Sequence, residues 1–212
     1  MHNIADIRKE YKQAALLETD VAPNPITQFT QWLQQAQQSD LLEPTAMTLA
    51  TCSTEGVPSA RTVLLKGIKQ EGFIFYTNYN SHKGIELAQN PRCSLLFFWA
   101  GLERQVRITG MVSKIPAAES DAYFASRPIG SQIGAIASPQ SQVIPSRTYL
   151  ENIENELKAT SITPLVRPTH WGGYLVQPVT IEFWQGRPSR LHDRLQYTVQ
   201  PNGSWLIQRL AP

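Results

Sequence analysis

The sequence lacks several features by which secreted, membrane and metal-binding proteins are recognised. It has only two cysteines, Cys52 and Cys93, which lie in apolar, strand-like runs without CxxC spacing. We therefore expect free buried thiols in a reducing compartment rather than a disulfide or a metal site. No apolar run approaches the length needed to span a membrane, and no apolar signal segment stands at the N-terminus. These absences predict a cytoplasmic protein.

Low net charge and missing motifs set aside further classes. The formal net charge is only +2, so bulk electrostatics give no reason to expect DNA or another polyanion, and any basic site must be local. The sequence contains no HExxH, GxSxG, GxGxxG or GxxxxGK[ST] motif. Metal hydrolases, serine hydrolases and dinucleotide enzymes are therefore disfavoured.

What is present is the composition and periodicity of a globular α+β protein, with 42% hydrophobic and 17% charged residues. Residues 1–22 are mixed and polar and predict a mobile N-terminal arm, which leaves 23–212 as a single domain. The patterns predict helices at 25–38, 83–89, 116–126 and 146–158, and strands at 46–54, 59–68, 73–77, 93–99, 103–115, 174–184, 190–199 and 205–210. A bend is expected around Ser131, and an interruption of the 174–184 strand at Pro178. Antiparallel-looking strands with peripheral helices indicate a barrel-like α+β domain.

The stretch Arg61-Thr-Val-Leu-Leu-Lys66 carries a cation at each end of an apolar strand. In a continuous strand the two side chains would lie roughly 17 Å apart and point to opposite sides. One interpretation is two separate anionic groups served by one rigid strand, because buried cations need partners. The other is a core strand whose charged ends reach solvent. The stretch by itself leaves both open.

A loop-to-helix junction offers a second place for an anion. Ser81 is expected to cap a short helix, whose N-terminus presents unpaired N–H groups and a positive dipole end. Ser81, His82 and Lys83 would add a hydroxyl, an imidazole and an ammonium group there. A plain capped surface helix is the alternative.

The stretch Arg190-Leu-His-Asp-Arg194 is the third informative region. Read as a strand, it places Arg190, His192 and Arg194 on one face, where three potential cations repel unless an anionic ligand lies against them. Trp184, on the preceding strand, could pack a planar heterocycle. A solvent-facing strand side and a core tryptophan are the alternatives.

A series of motifs runs in order along the chain, within a match that extends from Arg8 to the C-terminus. The motifs are Arg61-Thr-Val-Leu-Leu-Lys66, Tyr76-Thr77-Asn78, Ser81-His82-Lys83, Glu103-Arg104-Gln105-Val106, Ser126-Arg127-Pro128 with Ser131-Gln132-Ile133-Gly134-Ala135, Glu182-Phe183-Trp184-Gln185-Gly186, Arg190-Leu-His-Asp-Arg194 and Arg209-Leu-Ala-Pro212. In this order they resemble the pyridoxamine 5'-phosphate oxidase family.

The resemblance implies a split β-barrel that binds flavin mononucleotide (FMN), and a homodimer with flavin at the subunit interface. It implies oxidation of pyridoxamine or pyridoxine 5'-phosphate to pyridoxal 5'-phosphate, with O2 reduced to H2O2. Hydride would pass from the substrate C4' carbon to flavin N5, the flavin supplying the redox chemistry. Neither nucleic acid nor a membrane is an expected partner.

The resemblance also implies roles for residues at matching positions. Those that would bind FMN are Arg61, Thr62, Val63, Leu64, Leu65, Lys66, Tyr76, Thr77, His82, Lys83, Gln105, Gln140, Ser141, Trp184 and Arg194. Those that would bind substrate are Arg8, Lys9, Glu10, Tyr11, Lys66, Tyr123, Arg127, Ser131, Arg190, Leu191 and His192. Arg190 and His192 would be the catalytic pair, covering the substrate ring.

The sequence departs from the family pattern at three places. His82 stands where arginine is usual, so a group that titrates near neutral pH replaces a permanent fork of donors. Ile129-Gly130 stands where Arg-Asp is usual, and Ala14-Ala15 where two glycines are usual. These changes predict weaker or more pH-dependent flavin affinity, altered rigidity of the loop between Arg127 and Ser131, and altered closure of the N-terminal arm.

Two rival functions belong to other classes. A flavin-binding split-barrel protein without oxidase activity need not keep Tyr123, Arg127, Ser131, Arg190 and His192, so their joint presence favours the enzyme. A nucleic-acid-binding barrel is disfavoured by the small net charge and the absence of a basic run.

Overall fold

A computed structural model describes residues 3–4, 10–160 and 164–212. Over these residues the chain forms five α-helices and nine strands: α1 Pro25–Gln37, β1 Ala46–Cys52, β2 Pro58–Leu64, β3 Gly67–Lys69, β4 Gly72–Asn78, α2 His82–Gln89, β5 Arg92–Trp99, β6 Arg104–Lys114, α3 Ala117–Ser126, α4 Ile129–Ala137, α5 Arg147–Thr160, β7 Trp171–Gln185, β8 Asp193–Val199 and β9 Trp205–Arg209. Sheet order is β2-β1-β5-β6-β7-β4-β3, with β8 paired to β7 and β9 to β8. Short 3₁₀ turns lie at Ala100–Leu102 and Pro188–Arg190.

The chain groups into two compact units. The first comprises Met1–Leu49, Ser94–Gly110 and Pro178–Pro212, and the second comprises Ala50–Cys93 and Met111–Gln177. Among the described residues no helix is both long and apolar enough to cross a membrane.

The first unit has its core between α1 and the sheet. α1 starts at Pro25 because the Asn24 side chain accepts from the amides of Ile26 and Thr27, and because proline suits the first helical turn. Its apolar stripe then packs on the strands: the ring centroids of Phe29 and Phe97 lie 4.9 Å apart, and those of Trp32 and Phe183 lie 5.2 Å apart.

The second unit is built on β4. This strand pairs antiparallel with β3 on one side and with the first part of β7 on the other, where Phe73 is registered with Val176 and Asn78 with Trp171. β4 is buried over nearly its whole length. The chain leaves β4 through a tight loop and enters α2, so the end of a buried strand fixes where this helix begins.

The α2 junction depends on a glycine. The Ser81 hydroxyl donates to the Asn78 carbonyl (2.6 Å) and accepts from the Gly84 amide (3.4 Å), which caps the helix. A Cβ built on Gly84 would lie 2.1 Å from the carbonyl oxygen of Tyr79. Only glycine therefore lets the loop backbone approach the first turn of α2 this closely.

The structure corrects four elements of the sequence prediction. The strand predicted at 59–68 is two strands, because the strand is broken at Leu65 and Lys66: β2 pairs with β1, whereas β3 pairs with β4. The bend predicted around Ser131 is part of helix α4. β7 runs without interruption through Pro178, which falls between the residues registered with β4 (up to Val176) and those registered with β8 (from Thr180).

The fourth correction concerns the strand predicted at 190–199. β8 begins only at Asp193, and Arg190 lies in a 3₁₀ turn with φ 62°. Arg190, His192 and Arg194 therefore do not share one strand face. The predicted strand was wrong at its start because Ser189 and Arg190 both adopt left-handed backbone conformations, which no residue pattern around them indicates.

We predict that Gly84→Ala destabilises the protein by about 1–3 kcal/mol, because the added methyl group meets a backbone carbonyl that cannot rotate away. Gly130→Ala is the matched control: it also adds one methyl group to a helix, with nothing within 4 Å, and should be neutral or stabilising by about 0.5–1 kcal/mol. Urea unfolding of both variants measures the difference. Equal stability of the two would contradict the close approach at Gly84.

Candidate functional site

A cavity of about 860 Å³ in the second unit collects most of the predicted site residues. The predicted residues that line it are Arg61, Thr62, Val63, Leu64, Lys66, Tyr76, Thr77, His82, Lys83, Tyr123, Arg127, Ser131, Gln140 and Ser141. None of the described residues in its lining is an aspartate or a glutamate. The cavity wall is therefore positive and has no acidic side chain of its own to neutralise it.

Arg61 and Lys66 both line this cavity. The expectation that they end one continuous strand was wrong, because β2 ends at Leu64 and Lys66 lies between β2 and β3. The Lys66 amide donates to the Ile74 carbonyl (2.8 Å), which ties this connection to β4. Leu65 is buried and does not line the cavity.

Lys83 is a buried cation surrounded by neutral oxygens. Its side chain is in the first turn of α2, and Nζ donates to the hydroxyls of Thr77 (3.2 Å) and Ser81 (3.2 Å) and to Oε1 of Gln140 (3.3 Å). Burial, and after it the charge of Arg61, lowers the pKa of Lys83. An anion at the N-terminus of α2 would favour the charged form, and the helix dipole would favour the anion.

Arg127 is held by an aromatic stack. The Tyr76 and Tyr123 rings are stacked at 3.7 Å, the Trp171 ring lies 6.2 Å from Tyr123 and nearly parallel to it, and the Arg127 guanidinium carbon lies 4.6 Å from the Trp171 ring centroid. The side-chain amide of Gln132 donates to the Arg127 carbonyl (2.8 Å), which fixes the backbone between α3 and α4. Cation–π contact orients the guanidinium but satisfies none of its N–H donors.

Arg127 consequently retains an unsatisfied donor. Among the described residues, its buried Nη1 has no hydrogen-bond acceptor. Burial lowers the pKa of Arg127, although nearby Tyr123 acts in the opposite direction. A buried N–H without an acceptor is costly, so an anionic ligand with oxygen atoms would complete this site.

Other predicted residues lie in the first unit. Tyr11, Trp184 and His192 form an aromatic cluster in which the Trp184 and His192 rings are 4.6 Å apart and Tyr11 meets each edge-on, at 5.7 and 5.8 Å. The Arg187 amide donates to His192 Nδ1 (3.1 Å). The neutral imidazole therefore carries its proton on Nε2.

The remaining first-unit residues differ in how firmly they are held. Arg190 and Leu191 are exposed, and Glu10 is exposed as well. Arg194 donates to both carboxylate oxygens of Glu182 (2.9 and 3.1 Å), which raises its pKa. Gln105 is half-buried on β6. Arg8 and Lys9 lie outside the described residues.

Some residues of the cavity wall were not predicted from the sequence. Ser59, Ala60, Asn78, Gly134, Ala135, Ser138 and Trp171 line the cavity without having been predicted as site residues. The Trp171-Gly172-Gly173 run could have drawn attention to Trp171, because a Cβ on Gly172 or Gly173 would lie within 2.2–2.4 Å of side-chain atoms. Glycine within a strand often marks a place where other groups approach the backbone closely.

Two family models match the chain. One, described as Pyridoxamine 5'-phosphate oxidase, covers residues 33–155, and the other, described as Pyridoxine 5'-phosphate oxidase C-terminal dimerisation region, covers residues 171–212. Proteins of Paraburkholderia phymatum and Cupriavidus necator, both named pyridoxine/pyridoxamine 5'-phosphate oxidase, are 58% and 55% identical over 212 residues, covering 100% of each chain.

Solved structures agree on the fold. PhzG from Burkholderia lata, in complex with tetrahydrophenazine-1-carboxylic acid, is 31% identical with a TM-score of 0.89, covering 95% of this chain and 100% of that one. An FMN-binding, pyridoxamine 5'-phosphate oxidase-related protein of Nostoc punctiforme is 17% identical with a TM-score of 0.72, over 91% and 99% of the two chains, and shows the fold alone. The predicted α+β split β-barrel with peripheral helices is confirmed.

We predict that inorganic phosphate raises the Tm of the ligand-free protein above its value in chloride at equal ionic strength, because a bound anion stabilises only the folded state. Lys83→Met should remove much of this rise, since it deletes the buried ammonium group at the α2 N-terminus. Lys158→Met, which deletes an exposed lysine paired with Glu154 on α5, should leave the rise unchanged. A phosphate effect of the same size in both variants would mean that the anion binds elsewhere.

Proposed function

The chain belongs to the pyridoxamine 5'-phosphate oxidase family, and from this premise we propose that it is an FMN-dependent oxidase of pyridoxamine 5'-phosphate or pyridoxine 5'-phosphate. The product would be pyridoxal 5'-phosphate, with O2 reduced to H2O2. One observation carries the proposal: the cavity is lined by Arg61, Lys66, His82, Lys83 and Arg127 and by no described acidic residue. Cofactor and substrate each bring a phosphate ester, and this wall suits two such groups.

The first phosphate, that of FMN, fits the α2 end of the cavity. Lys83, Arg61 and the N-terminal amides of α2 would hold it. Among the residues that the structure describes, the desolvated ammonium of Lys83 has only neutral hydrogen-bond partners. Thr77 and Gln140, which touch Lys83, would orient the same group. FMN held there would supply the redox chemistry, because its isoalloxazine ring can accept a hydride and can be reoxidised by O2.

The second phosphate, that of the substrate, fits Arg127 and its neighbours. The unsatisfied Nη1 of Arg127 is aimed at no described acceptor, and Tyr123 and Ser131 line the same cavity. Lys66, exposed but on the cavity wall, would add a second positive charge. Anchoring the substrate by its phosphate fixes the position of its ring without any contact to the reacting carbon.

Arg190 and His192 would cover the substrate ring. Arg190 and Ser189 have left-handed backbone conformations (φ 62° and 57°), a strained arrangement that costs on the order of 1–3 kcal/mol per residue. Strain of this kind is retained where a side chain must be presented in one direction. His192, oriented by the Arg187 amide, holds its neutral-form proton on Nε2, where it could donate to the substrate.

The N-terminal arm is proposed to close over the substrate. The Lys12 and Gln13 amides donate to the Glu103 carboxylate (2.8 and 3.1 Å), and Tyr11 packs on Trp184 and His192. A Cβ on Gly186 would lie 2.7 Å from the Tyr11 ring, so this glycine admits the tyrosine. The division into an arm (1–22) and a domain (23–212) stays a prediction.

Assembly as a homodimer with FMN at the interface is part of the proposal. The match of residues 171–212 to a C-terminal dimerisation region supports it. We place this dimer in the cytoplasm, a location that stays a prediction.

The proposed function is tested by purification under mild conditions. We expect a yellow dimer that consumes O2 when pyridoxamine 5'-phosphate is added. Arg127→Met should raise KM for this substrate about ten- to a hundredfold, because it removes a charge-assisted hydrogen bond to the phosphate. Arg147→Met, which removes an exposed arginine on α5, should leave KM unchanged. A yellow dimer without O2 consumption would instead identify a flavin-binding protein that is not an oxidase.

Arg190→Met should lower kcat/KM by about a hundredfold while FMN stays bound, because the substrate ring loses its cover but the flavin keeps its phosphate contacts. Steady-state kinetics and the flavin absorbance of the purified variant measure the two effects separately. Turnover near the wild-type rate would exclude the role given to Arg190.

A further inference from the structure

Glu86 is a buried carboxylate directly behind the cavity wall. It lies on α2, its relative exposure is only 4%, and it is not among the residues that line the cavity. Its carboxylate accepts from the Ser59 hydroxyl (2.6 and 2.8 Å) and from the Thr51 hydroxyl (2.5 Å). Three elements, β1, β2 and α2, therefore meet at one acidic group.

The same two hydroxyls receive hydrogen bonds from Arg61. Arg61 Nη1 donates to Thr51 Oγ1 (2.5 Å), and Nη2 donates to Ser59 Oγ (2.5 Å). Each hydroxyl thus accepts from the guanidinium and donates to the carboxylate, and Arg61 Nη2 also lies 3.4 Å from Glu86 Oε2. A hydroxyl that must donate to the carboxylate has only its lone pairs left for Arg61, so the ionised carboxylate fixes both hydroxyl orientations.

The carboxylate is held in its ionised form. Burial acts to raise the pKa of Glu86, but the hydrogen bonds from Ser59 and Thr51, with the charges of His82 and Arg61, together lower it below its ordinary value. His82 Nε2 lies 3.5 Å from Glu86 Oε1 on the exposed side. Every polar neighbour of Glu86 that is named here thus favours the charged form.

We propose that Glu86 is a positioning residue, which holds the Arg61 guanidinium through Thr51 and Ser59 in the orientation that receives the FMN phosphate. The inference rests on the proposed function. An arginine side chain loses rotamer entropy when it is immobilised, and the hydrogen bonds to the two hydroxyls order the guanidinium before the ligand binds. A carboxylate near an anion site otherwise opposes the anion, so its contribution is orientation rather than charge.

A purely structural role, joining α2 to β1 and β2, is the competing explanation, and riboflavin separates the two. Riboflavin has the isoalloxazine ring of FMN but no phosphate, so it does not use Arg61. We expect Glu86→Gln to raise the Kd for FMN about tenfold and to leave the Kd for riboflavin unchanged. Glu154→Gln, which removes an exposed carboxylate of α5, should alter neither constant.

The Arg61→Met background gives the decisive comparison. Without the guanidinium, Glu86 retains only its repulsion of the phosphate, so Glu86→Gln should then leave FMN affinity unchanged or increase it. Ser59→Ala and Thr51→Val each remove one hydroxyl and should raise the FMN Kd by part of the Glu86→Gln effect. If Glu86→Gln does not fold, these two variants replace it in the experiment. Fluorescence titration gives every Kd.

Three outcomes would overturn the assignment of Glu86: equal losses for FMN and riboflavin, an undiminished loss in the Arg61→Met background, or no loss at all. In each of these the wild-type protein still binds FMN, and the proposed function stands. Failure of the wild-type protein to bind FMN would remove the proposed function and the role of Glu86 together.

Discussion

The second unit depends on one constraint: positive charge is buried in the wall of its cavity, and no described acidic residue lies in that cavity wall to match it. Lys83 is 8% exposed, and within the part of the chain that the structure describes its ammonium donates only to hydroxyl and amide oxygens. Neutral oxygens replace part of the hydration that an ammonium loses, but they supply no countercharge. The lowered pKa of Lys83 expresses this deficit. The Ser81 cap and the close approach at Gly84 fix the first turn of α2, and Lys83 is therefore held in its buried position.

The arginines differ in whether a carboxylate of the protein already pairs with the guanidinium. A guanidinium without such a direct partner is suited to binding an anionic ligand. Arg194 is engaged by both oxygens of Glu182 and by the Ala211 carbonyl. Arg127, in contrast, is stacked on Trp171 and has a buried Nη1 without an acceptor among the described residues. Arg61 is intermediate, because its carboxylate partner is reached mainly through two hydroxyls. The distance of the acid from the cation, rather than the count of cations, distinguishes a structural ion pair from an anion site.

Much of the fold could be predicted where the signal is local. α1 follows from Asn24, Pro25 and an apolar stripe, and α2 follows from Ser81, so both helices begin where their caps predict. Helix α4 was missed because Gly130 and Gly134 have low helix propensity, and its start is set instead by Pro128 and the Gln132 bonds to the preceding backbone. The turn at Ser189 and Arg190 was missed because positive φ in residues other than glycine depends on tertiary context.

The candidate site, like the fold, has residues that could be predicted from a local sequence signal and residues that could not. Residues that carry charge, such as Arg61, Lys83 and Arg127, could be named from the sequence because their chemistry is visible in a single letter. Their supporting groups could not: Trp171 lies on a strand far from Arg127 in sequence, and Glu86 looks like an ordinary surface residue of an amphipathic helix until β1 and β2 are placed against it. The residue type determines the charge of a side chain, but the neighbouring residues determine the direction in which it points. Phosphate binding at this cavity wall depends on both the charge and its direction. A guanidinium that already faces the phosphate binds it more tightly than one that must first be ordered.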